Sequence, residues 1–291
     1  SMDTTILRHF LTIAREGSMT AAANELHISQ PTLSVQMKQL EDTLGKKVFQ
    51  KQGRNLVLTE EGVLLRKRAE DILSLVDKTM QEFQDMDNLI GGEIRFGCAE
   101  TYLVHHIATV FHELQLQYPL LHFHITSGNT EQVIERIERG ILDFALIVEP
   151  PSLDNFNYIE LPGTDTYGVL MRPDHPLAAK QAIVFDDLVS ENLIASEQTI
   201  QNDISRWCGE KVNQLNFIGN VNLFYNGSQF VKNGVGLQLI FEHLVPQCDE
   251  LIWRPLSPKL ETRCYIVWKK YQIFTPITEI FIKALTNLLV A

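Results

Sequence analysis

The feature that most constrains the fold is the stretch from residue 18 to 44, which has the pattern of two helices joined by a tight turn. Ser18 can cap a short helix over residues 19–26, where three consecutive alanines favour helix. Ser29 can cap a second helix, whose first turn tolerates Pro31 because an amide there has no intrahelical partner. Apolar residues recur in the second helix at steps of four, three and four, which predicts a buried stripe: Leu33, Met37, Leu40 and Leu44.

The face of the second helix opposite that stripe carries small and hydrogen-bonding groups, one cation and no acid. Such a face fits the DNA major groove, where an amide can read purine edges and the helix N-terminus enters first. An ordinary helical hairpin inside a bundle would show the same buried stripe and is the alternative. The residues of this segment predicted to contact DNA are Ser29, Gln30, Pro31, Thr32, Ser34, Val35 and Lys38.

The segment that follows is basic and alternates in the manner of a β-hairpin. Two apolar runs flank the turn residues Gln52-Gly53, and lysines and an arginine lie along the edges. The pattern predicts a two-stranded wing whose cations face phosphate oxygens. We predict phosphate contacts from Lys51 and Arg54, and this basic hairpin favours DNA binding over the helical-bundle alternative.

Four sequence patterns in the first sixty or so residues resemble the N-terminal domain of LysR-type transcriptional regulators. They are the alanine run, SQPTLS at 29–34, E-x-x-LG at 41–45 and F-x-K-x-x-R-x-x-x-LT-x-x-G at 49–62. The resemblance implies a winged helix-turn-helix that binds double-stranded promoter DNA. It also implies a homodimer that pairs into a tetramer through the effector lobes, with RNA polymerase as a possible further partner.

Composition agrees with a small DNA-binding domain attached to a larger acidic one. A chain of 291 residues with 45% hydrophobic residues is long enough for about two globular domains. Residues 1–58 carry seven Lys and Arg against five Asp and Glu, whereas residues 92–291 carry fourteen against twenty-three, within a total charge of −11. The excess of cations lies where DNA would bind. Since no apolar run reaches the length of a membrane span, we expect a cytoplasmic protein with no membrane partner.

A long helical pattern follows the wing. Thr59 can cap it, and Glu60 and Glu61 in its first turn complement the helix dipole. A narrow apolar seam between charged flanks predicts a coiled-coil contact with a second copy of the chain. Packing of this seam on the helix's own domain is the alternative. The predicted dimerisation residues are Leu65, Ala69, Ile72, Val76, Met80 and Phe83.

Beyond Gly91-Gly92 the pattern alternates between strand and helix, which predicts mostly parallel sheets with covering helices. This layout, with HPLA at 175–178 and NGVGLQLI at 233–240, resembles the two-lobed effector domain of the LysR family, itself similar to periplasmic binding proteins. The expected fold class is therefore mixed α+β and α/β. The expected domains are a winged helix-turn-helix at 1–58, a linker helix at 59–90, and an effector domain at 91–291, with lobe I at about 92–162 plus 268–291 and lobe II at about 163–267.

In open α/β sheets ligands bind at the carboxyl ends of strands, beside helix N-termini. Four loops qualify, and each also contains a hydroxyl residue (Thr101, Thr130, Thr199 and Ser228) that could merely cap its helix. Because the loops offer neutral donors and one acid, Glu100, we expect a cationic or hydroxyl-rich effector rather than a simple anion. The predicted effector-binding residues are Ala99, Glu100, Thr101, Gly128, Asn129, Thr130, Ser196, Thr199 and Asn222.

Other classes of function find little support in the sequence. The chain contains no phosphate loop, no G-x-S-x-G and no H-E-x-x-H, so no catalytic residues are expected. Five histidines between residues 105 and 124 make a metal site conceivable, but their spacing is not that of a ligand set, and no metal or cofactor is expected. An exported binding protein would not explain the first ninety residues.

The function expected from the sequence is that of a bacterial one-component regulator that binds promoter DNA and a small effector molecule. The alternative is a constitutive or redox-responsive DNA-binding regulator with a vestigial cleft. The four cysteines form no C-x-x-C pair, which argues against a thiol sensor.

Overall fold

The computed structural model describes residues 2–88, 90–149, 152–245 and 247–290. The chain divides into two compact units, residues 1–84 and 85–291. The helix predicted as a separate linker therefore belongs, for most of its length, to the first unit.

The first unit is a winged helix-turn-helix followed by a long helix. Its core contains Leu7, Phe10, Leu33 and Leu40, which are almost completely buried. The elements in chain order are α1 (Thr4–Glu16), α2 (Met19–Leu26), α3 (Gln30–Leu44), β1 (Phe49–Gln52), β2 (Asn55–Leu58) and α4 (Glu60–Asp85).

The predicted helix-turn-helix is confirmed down to its capping residues. The Ser18 side chain accepts a hydrogen bond from the Ala21 amide, and the Ser29 side chain accepts one from Thr32. The turn between the helices is closed by His27, which adopts a left-handed conformation with φ of 56°. One predicted member of the buried stripe is wrong: Leu44 is 38% exposed. It ends α3, and Val48, which follows the helix, packs into the core instead.

The wing is an antiparallel hairpin in which β1 and β2 pair in register from Phe49↔Leu58 to Gln52↔Asn55. Gly53 in its turn has φ of 63°, a conformation that suits glycine. Gly62, in the first turn of α4, lies directly against the wing, since a Cβ there would be 2.1 Å from the Val48 carbonyl oxygen. The glycine therefore sets how closely α4 approaches the preceding segment.

The second unit contains two sheets, one in each lobe. The first sheet has the strand order β4-β3-β5-β13-β6, so the last strand of the chain returns to the middle of lobe I. The elements of lobe I are β3 (Gly91–Cys98), α5 (His105–Gln115), β4 (Leu120–Ser127), α6 (Thr130–Glu138), β5 (Phe144–Val148) and β6 (Phe156–Glu160), to which β13 and α10 are added at the end of the chain.

Lobe II is formed by the continuous stretch between the two passages of the chain through lobe I. Its strand order is β11-β7-β10-β8-β9, with β12 paired to β7. The elements are β7 (Asp165–Met171), α7 (Phe185–Leu188), β8 (Asn192–Ala195), α8 (Ile204–Cys208), β9 (Asn216–Asn220), α9 (Phe224–Lys232), β10 (Leu237–Phe241), β11 (Ile252–Pro255) and β12 (Glu261–Thr262), followed by β13 (Cys264–Lys269) and α10 (Pro276–Val290) of lobe I.

Two details of the predicted organisation need correction. Each sheet combines three parallel strands with antiparallel ones, because β7 and β13 connect the lobes and run against their neighbours. The expected return to lobe I at residue 268 would cut β13, whose whole length from Cys264 pairs with β5. Strands β6 and β11 were not predicted. Both pair at the edge of a sheet, where partial exposure leaves a weak apolar pattern.

Candidate DNA-binding surface and ligand cavity

The outer face of α3 is exposed and pre-organised. Of the residues predicted to contact DNA, Ser29, Gln30, Pro31, Thr32, Val35 and Lys38 are exposed and Ser34 is half-buried. Gln30 Nε2 donates a 2.7 Å hydrogen bond to Ser34 Oγ, which orders the amide along the helix face. Val35 is 55% exposed, an apolar group suited to a thymine methyl. Amide, methyl and ammonium groups thus lie together on one surface.

The wing adds cations beside this helix. Lys51 in β1 and Arg54 in the hairpin turn are both exposed. Lys47 lies 3.7 Å from Glu41, but its side chain remains 77% exposed. Because exposed cations at the edge of a hairpin suit phosphate oxygens, the wing is a candidate backbone-contacting element.

The predicted apolar seam of α4 is a single row along the helix, but its residues differ in burial. Leu65 and Ala69 are buried in the winged-helix core, together with Leu73, so these two residues are not available as an open seam. The other predicted residues are more accessible: Val76 is half-buried, Ile72 and Met80 are exposed, and Phe83 is 77% exposed. The exposed members of the seam, Ile72, Met80 and Phe83, form an outer row that can meet a second copy.

A cavity of about 540 Å³ lies between the two lobes of the second unit. It opens at the carboxyl ends of β3 and β4 from lobe I and of β8 and β9 from lobe II. Seven of the nine predicted effector-binding residues line it: Ala99, Glu100, Gly128, Asn129, Ser196, Thr199 and Asn222.

Two predicted residues, Thr101 and Thr130, do not line the cavity. Thr101 Oγ1 donates a short hydrogen bond to Asp165, and its hydroxyl also accepts the Leu103 amide. Thr130 Oγ1 donates to the Val148 carbonyl at 3.2 Å. Both hydroxyls are therefore used in buried contacts within the protein.

The residues that cap these helices also differ in part from those predicted. Thr101 does cap the short helix that precedes α5. Asn129 rather than Thr130 caps α6, in a capping box with Gln132. Ser196 accepts the Thr199 amide. Ser228 does not cap α9, because this helix begins earlier, at Phe224. The Ser228 hydroxyl instead donates to the Tyr225 carbonyl within the helix.

The lobes contact each other through side chains placed at helix N-termini. The Thr130 amide, at the start of α6, donates a 3.1 Å hydrogen bond to Gln198 Oε1 of lobe II. Phe224, at the start of α9, lies on the same cavity wall as Glu100 of lobe I. Burial raises the pKa of Glu100, and the hydrogen bond from Phe224 opposes part of that increase.

A buried polar network forms the lobe II wall of the cavity. Tyr167 Oη donates a 2.6 Å hydrogen bond to Asp203 Oδ2 and lies 2.8 Å from Thr199 Oγ1, which in turn lies 2.8 Å from Ser196 Oγ. Burial raises the pKa of Asp203, partly offset by the Tyr167 hydrogen bond and by Arg206. The sequence did not single out Tyr167 or Asp203, because neither follows a strand as a loop residue does.

Cys98 and Cys264 do not form a redox pair. Cys98 and Cys264 lie on β3 and β13, which are separated in the sheet by β5. Burial raises the pKa of each thiol to about 12. Such thiols remain protonated and react slowly with oxidants. Across the described parts of the chain, no three His, Cys, Asp or Glu residues are grouped to hold a metal ion.

Both units match known protein families. Residues 5–63 match the bacterial regulatory helix-turn-helix protein family of lysR type, and residues 87–289 match the LysR substrate binding domain. The chain belongs to the LysR family of transcriptional regulators. Among the described residues of this LysR regulator, no helix is long and apolar enough to cross a membrane.

Individual relatives agree along almost the whole length. The transcriptional activator CmpR of Synechocystis sp. is 28% identical over 284 residues, 94% of this chain and 91% of that protein. The crystal structure of CbnR, a LysR family regulator, matches over 99% of both chains with a TM-score of 0.75 at 15% identity. CbnR complexed with its target DNA matches over 98% of this chain and 99% of that one, with a TM-score of 0.71 at 15% identity. The structural likeness supports the fold.

Proposed function

We propose that this LysR regulator binds a specific promoter duplex through α3 and β1–β2 and changes its DNA binding when a small molecule occupies the interlobe cavity. The observation that carries the proposal is the exposed face of α3, with its ordered Gln30 amide and its single cation. A face of this kind reads base edges, while the basic wing holds the backbone.

The proposal includes a homodimer formed through the outer row of α4, with Ile72, Met80 and Phe83 as its centre. Large exposed apolar side chains in a row on one helix are typical of a helix that is covered by a partner. Two recognition helices held by a common dimer would read two half-sites of one operator. Pairing of dimers into a tetramer through the effector lobes is a further expectation from the family.

The effector site is proposed to be the cavity itself. It is enclosed by two lobes that also contact each other across it, for example through the Thr130 amide and Gln198. A ligand that binds one spacing of the lobes more tightly than another shifts their equilibrium by its difference in affinity. No chemical step is part of the proposal: the protein is a binding regulator, without catalytic residues or a tightly bound cofactor, and acts in the cytoplasm.

The test is selection of genomic DNA fragments with the purified protein, followed by titration of the enriched duplex in fluorescence anisotropy. We expect a common motif with two half-sites and an affinity that exceeds that for scrambled duplex by about 10³ or more. Equal affinity for both duplexes would contradict the proposal. The redox-responsive alternative predicts that hydrogen peroxide changes the affinity, whereas the buried Cys98 and Cys264 predict no change from these two thiols.

A further inference from the structure

We propose that the interlobe cavity takes a ligand that carries a protonated amine, held by the Glu100 carboxylate and the Gln238 side-chain oxygen. The inference rests on the proposed effector function and names the chemical class of the effector. Three independent observations support it. A carboxylate lies beside the start of α9, a buried acceptor on the cavity wall has no donor, and the charged residues of the lining are acidic.

A carboxylate of the protein lies beside the start of α9. Free amides at a helix N-terminus are the usual binding site for anionic ligands. Here Glu100 lines the same end of the cavity as Phe224, whose backbone lowers the Glu100 pKa, and the corresponding amide of α6, that of Thr130, donates to Gln198. An anionic ligand at this helix end would lie beside the Glu100 carboxylate and be repelled by it. A cationic ligand can instead donate hydrogen bonds to the carboxylate oxygens.

Gln238 supplies an acceptor that has no partner. The side chain lines the cavity and is only 2% exposed. Its Nε2 donates a 3.3 Å hydrogen bond to the Phe224 carbonyl, which fixes the orientation of the amide. Its Oε1 has no hydrogen-bond partner among the described residues. A buried acceptor left in this state costs free energy that a donor on a ligand would recover.

The position of Gln238 is built into lobe II. A Cβ at Gly227, inside α9, would lie 2.4 Å from Gln238 Nε2, so the glycine makes room for the carboxamide. Both polar groups of the proposed site lie near Phe224: Gln238 Nε2 donates to its carbonyl, and Glu100 lines the cavity beside it. Two acceptors are thereby brought to one end of the cavity.

The charge of the lining favours a cation. Glu100, Glu197 and Asp203 line the cavity, and within the described ranges no Lys, Arg or His does. Asp203 is partly compensated by the Tyr167 hydroxyl and by Arg206, whose Nη2 lies 3.8 Å from its Oδ1. The remaining negative potential attracts an ammonium group and repels a carboxylate or phosphate.

The experiment compares matched small molecules against the full-length protein by thermal shift and calorimetry. The core series has one carbon skeleton with three end groups: butane-1,4-diamine, butane-1,4-diol and butanedioate. Methylamine, agmatine and glucosamine extend the amines, and each is paired with its hydroxyl counterpart. We expect at least one amine to raise the melting temperature more than its hydroxyl partner, and the carboxylate to give no increase.

Variants then connect the response to the site. Glu100→Gln keeps the shape and an acceptor for the Phe224 amide but removes the charge, so the Kd for the amine should rise by about tenfold or more. Gln238→Met, which removes the unpaired oxygen at similar volume, should also weaken amine binding. Glu113→Gln, the same substitution on the exposed side of α5, should leave the Kd unchanged.

The outcomes separate this inference from the proposed function. A carboxylate that stabilises more than any amine, with its response retained in Glu100→Gln, would overturn the ligand class and leave the effector cavity standing. An amine response retained in both Glu100→Gln and Gln238→Met would place the amine elsewhere and overturn the inference. If no compound of any charge shifts melting or DNA affinity, the effector function and the inference both fail, while DNA recognition is judged from its own titration.

Discussion

Gln30 and Arg54 are both exposed polar residues of the winged helix, but they belong to different kinds of surface. Gln30 lies on the first turn of α3 and is ordered by Ser34 Oγ at 2.7 Å. Arg54 lies in the turn of the wing. An ordered amide can form a bidentate pair with a base edge, whereas a cation in a hairpin turn is suited to phosphate.

Truncation of these two side chains should therefore have different effects on DNA binding. Gln30→Ala should lose about 1–3 kcal/mol of discrimination at one base pair, with little change on random DNA. Arg54→Ala should weaken binding to all duplexes and reduce the slope of log K against log salt by about one. Anisotropy titrations over a salt series, on specific and scrambled duplexes, measure both. Equal losses on both duplexes for both variants would contradict the assigned roles.

At single residues, the sequence predicted local contacts better than distant ones. Ser18 and Ser29 were identified as caps because their hydrogen-bond partners lie three residues along the chain. Thr101 and Thr130 were assigned to the effector site, but their hydroxyls bind Asp165 and Val148. Those partners are 64 and 18 residues away, and no local pattern indicates them. Asp203 and Gln238 likewise reach the cavity through the tertiary fold, which no local pattern indicates.

Among the elements, α4 is the one whose role depends on how much of its apolar face is covered. The sequence showed its apolar repeat but not which residues of that repeat the winged-helix core buries. Leu65, Ala69 and Leu73 complete the winged-helix core, and Ile72, Met80 and Phe83 are exposed. A period of three and four residues continues along the whole helix, and only the packing of the winged-helix core decides where its covered part ends.

Two substitutions of the same kind on α4 should have opposite consequences. Phe83→Glu places a charge in the proposed dimer contact, so we expect monomers in light scattering with an unchanged melting temperature of the winged helix. Leu65→Glu places the charge in the core at a cost of several kcal/mol, so we expect loss of folded winged helix by circular dichroism. A Phe83→Glu protein that keeps its dimer mass would move the contact to another surface.

Gly62 gives a second prediction for α4. Replacing a helical glycine by alanine normally stabilises by about 1 kcal/mol. Here the added methyl would lie 2.1 Å from the Val48 carbonyl oxygen, so Gly62→Ala should instead lower the free energy of unfolding by about 1–3 kcal/mol. Urea denaturation monitored by circular dichroism measures this, with Ser74→Ala on the exposed side of the helix as the control. A stabilised Gly62→Ala protein would show that α4 can move away from the wing.

For the molecule as a whole, Asp165 lies where the chain passes between the lobes. It begins β7 and pairs with Thr262 of β12, the segment by which the chain leaves lobe II. Its side chain is completely buried, accepts a hydrogen bond from Thr101, and has Oδ1 without a partner among the described residues. Burial, partly offset by Thr101 and His243, raises the pKa of Asp165 to about 6.

This raised pKa predicts a pH dependence of stability with a definite sign. The folded protein holds the Asp165 proton more tightly than the unfolded chain, whose Asp pKa is about 3.9. The free energy of unfolding should therefore fall as pH rises from about 4 to 7, by about 2–3 kcal/mol from this group. Asp165→Asn removes the contribution, so the difference between wild type and variant should grow with pH over that window.

Chemical denaturation at several pH values measures the effect as a difference, in which other titrating carboxyls such as Glu100 and Asp203 cancel. Asp154→Asn, the same substitution at an exposed position in lobe I, is the matched control. Parallel curves for wild type and Asp165→Asn would show that the buried carboxyl does not titrate in this range.

The central place of β13 in the lobe I sheet determines the order in which the parts of the protein can fold during translation. Winged helix and α4 are complete once residue 85 has been made, and lobe II follows as one continuous stretch. Lobe I must wait, because β5 and β6 face each other across the gap that Cys264–Lys269 fills. Translation interrupted before residue 264 would thus release a chain with a complete winged helix and an incomplete effector domain. Such a fragment would compete for the operator without responding to the effector.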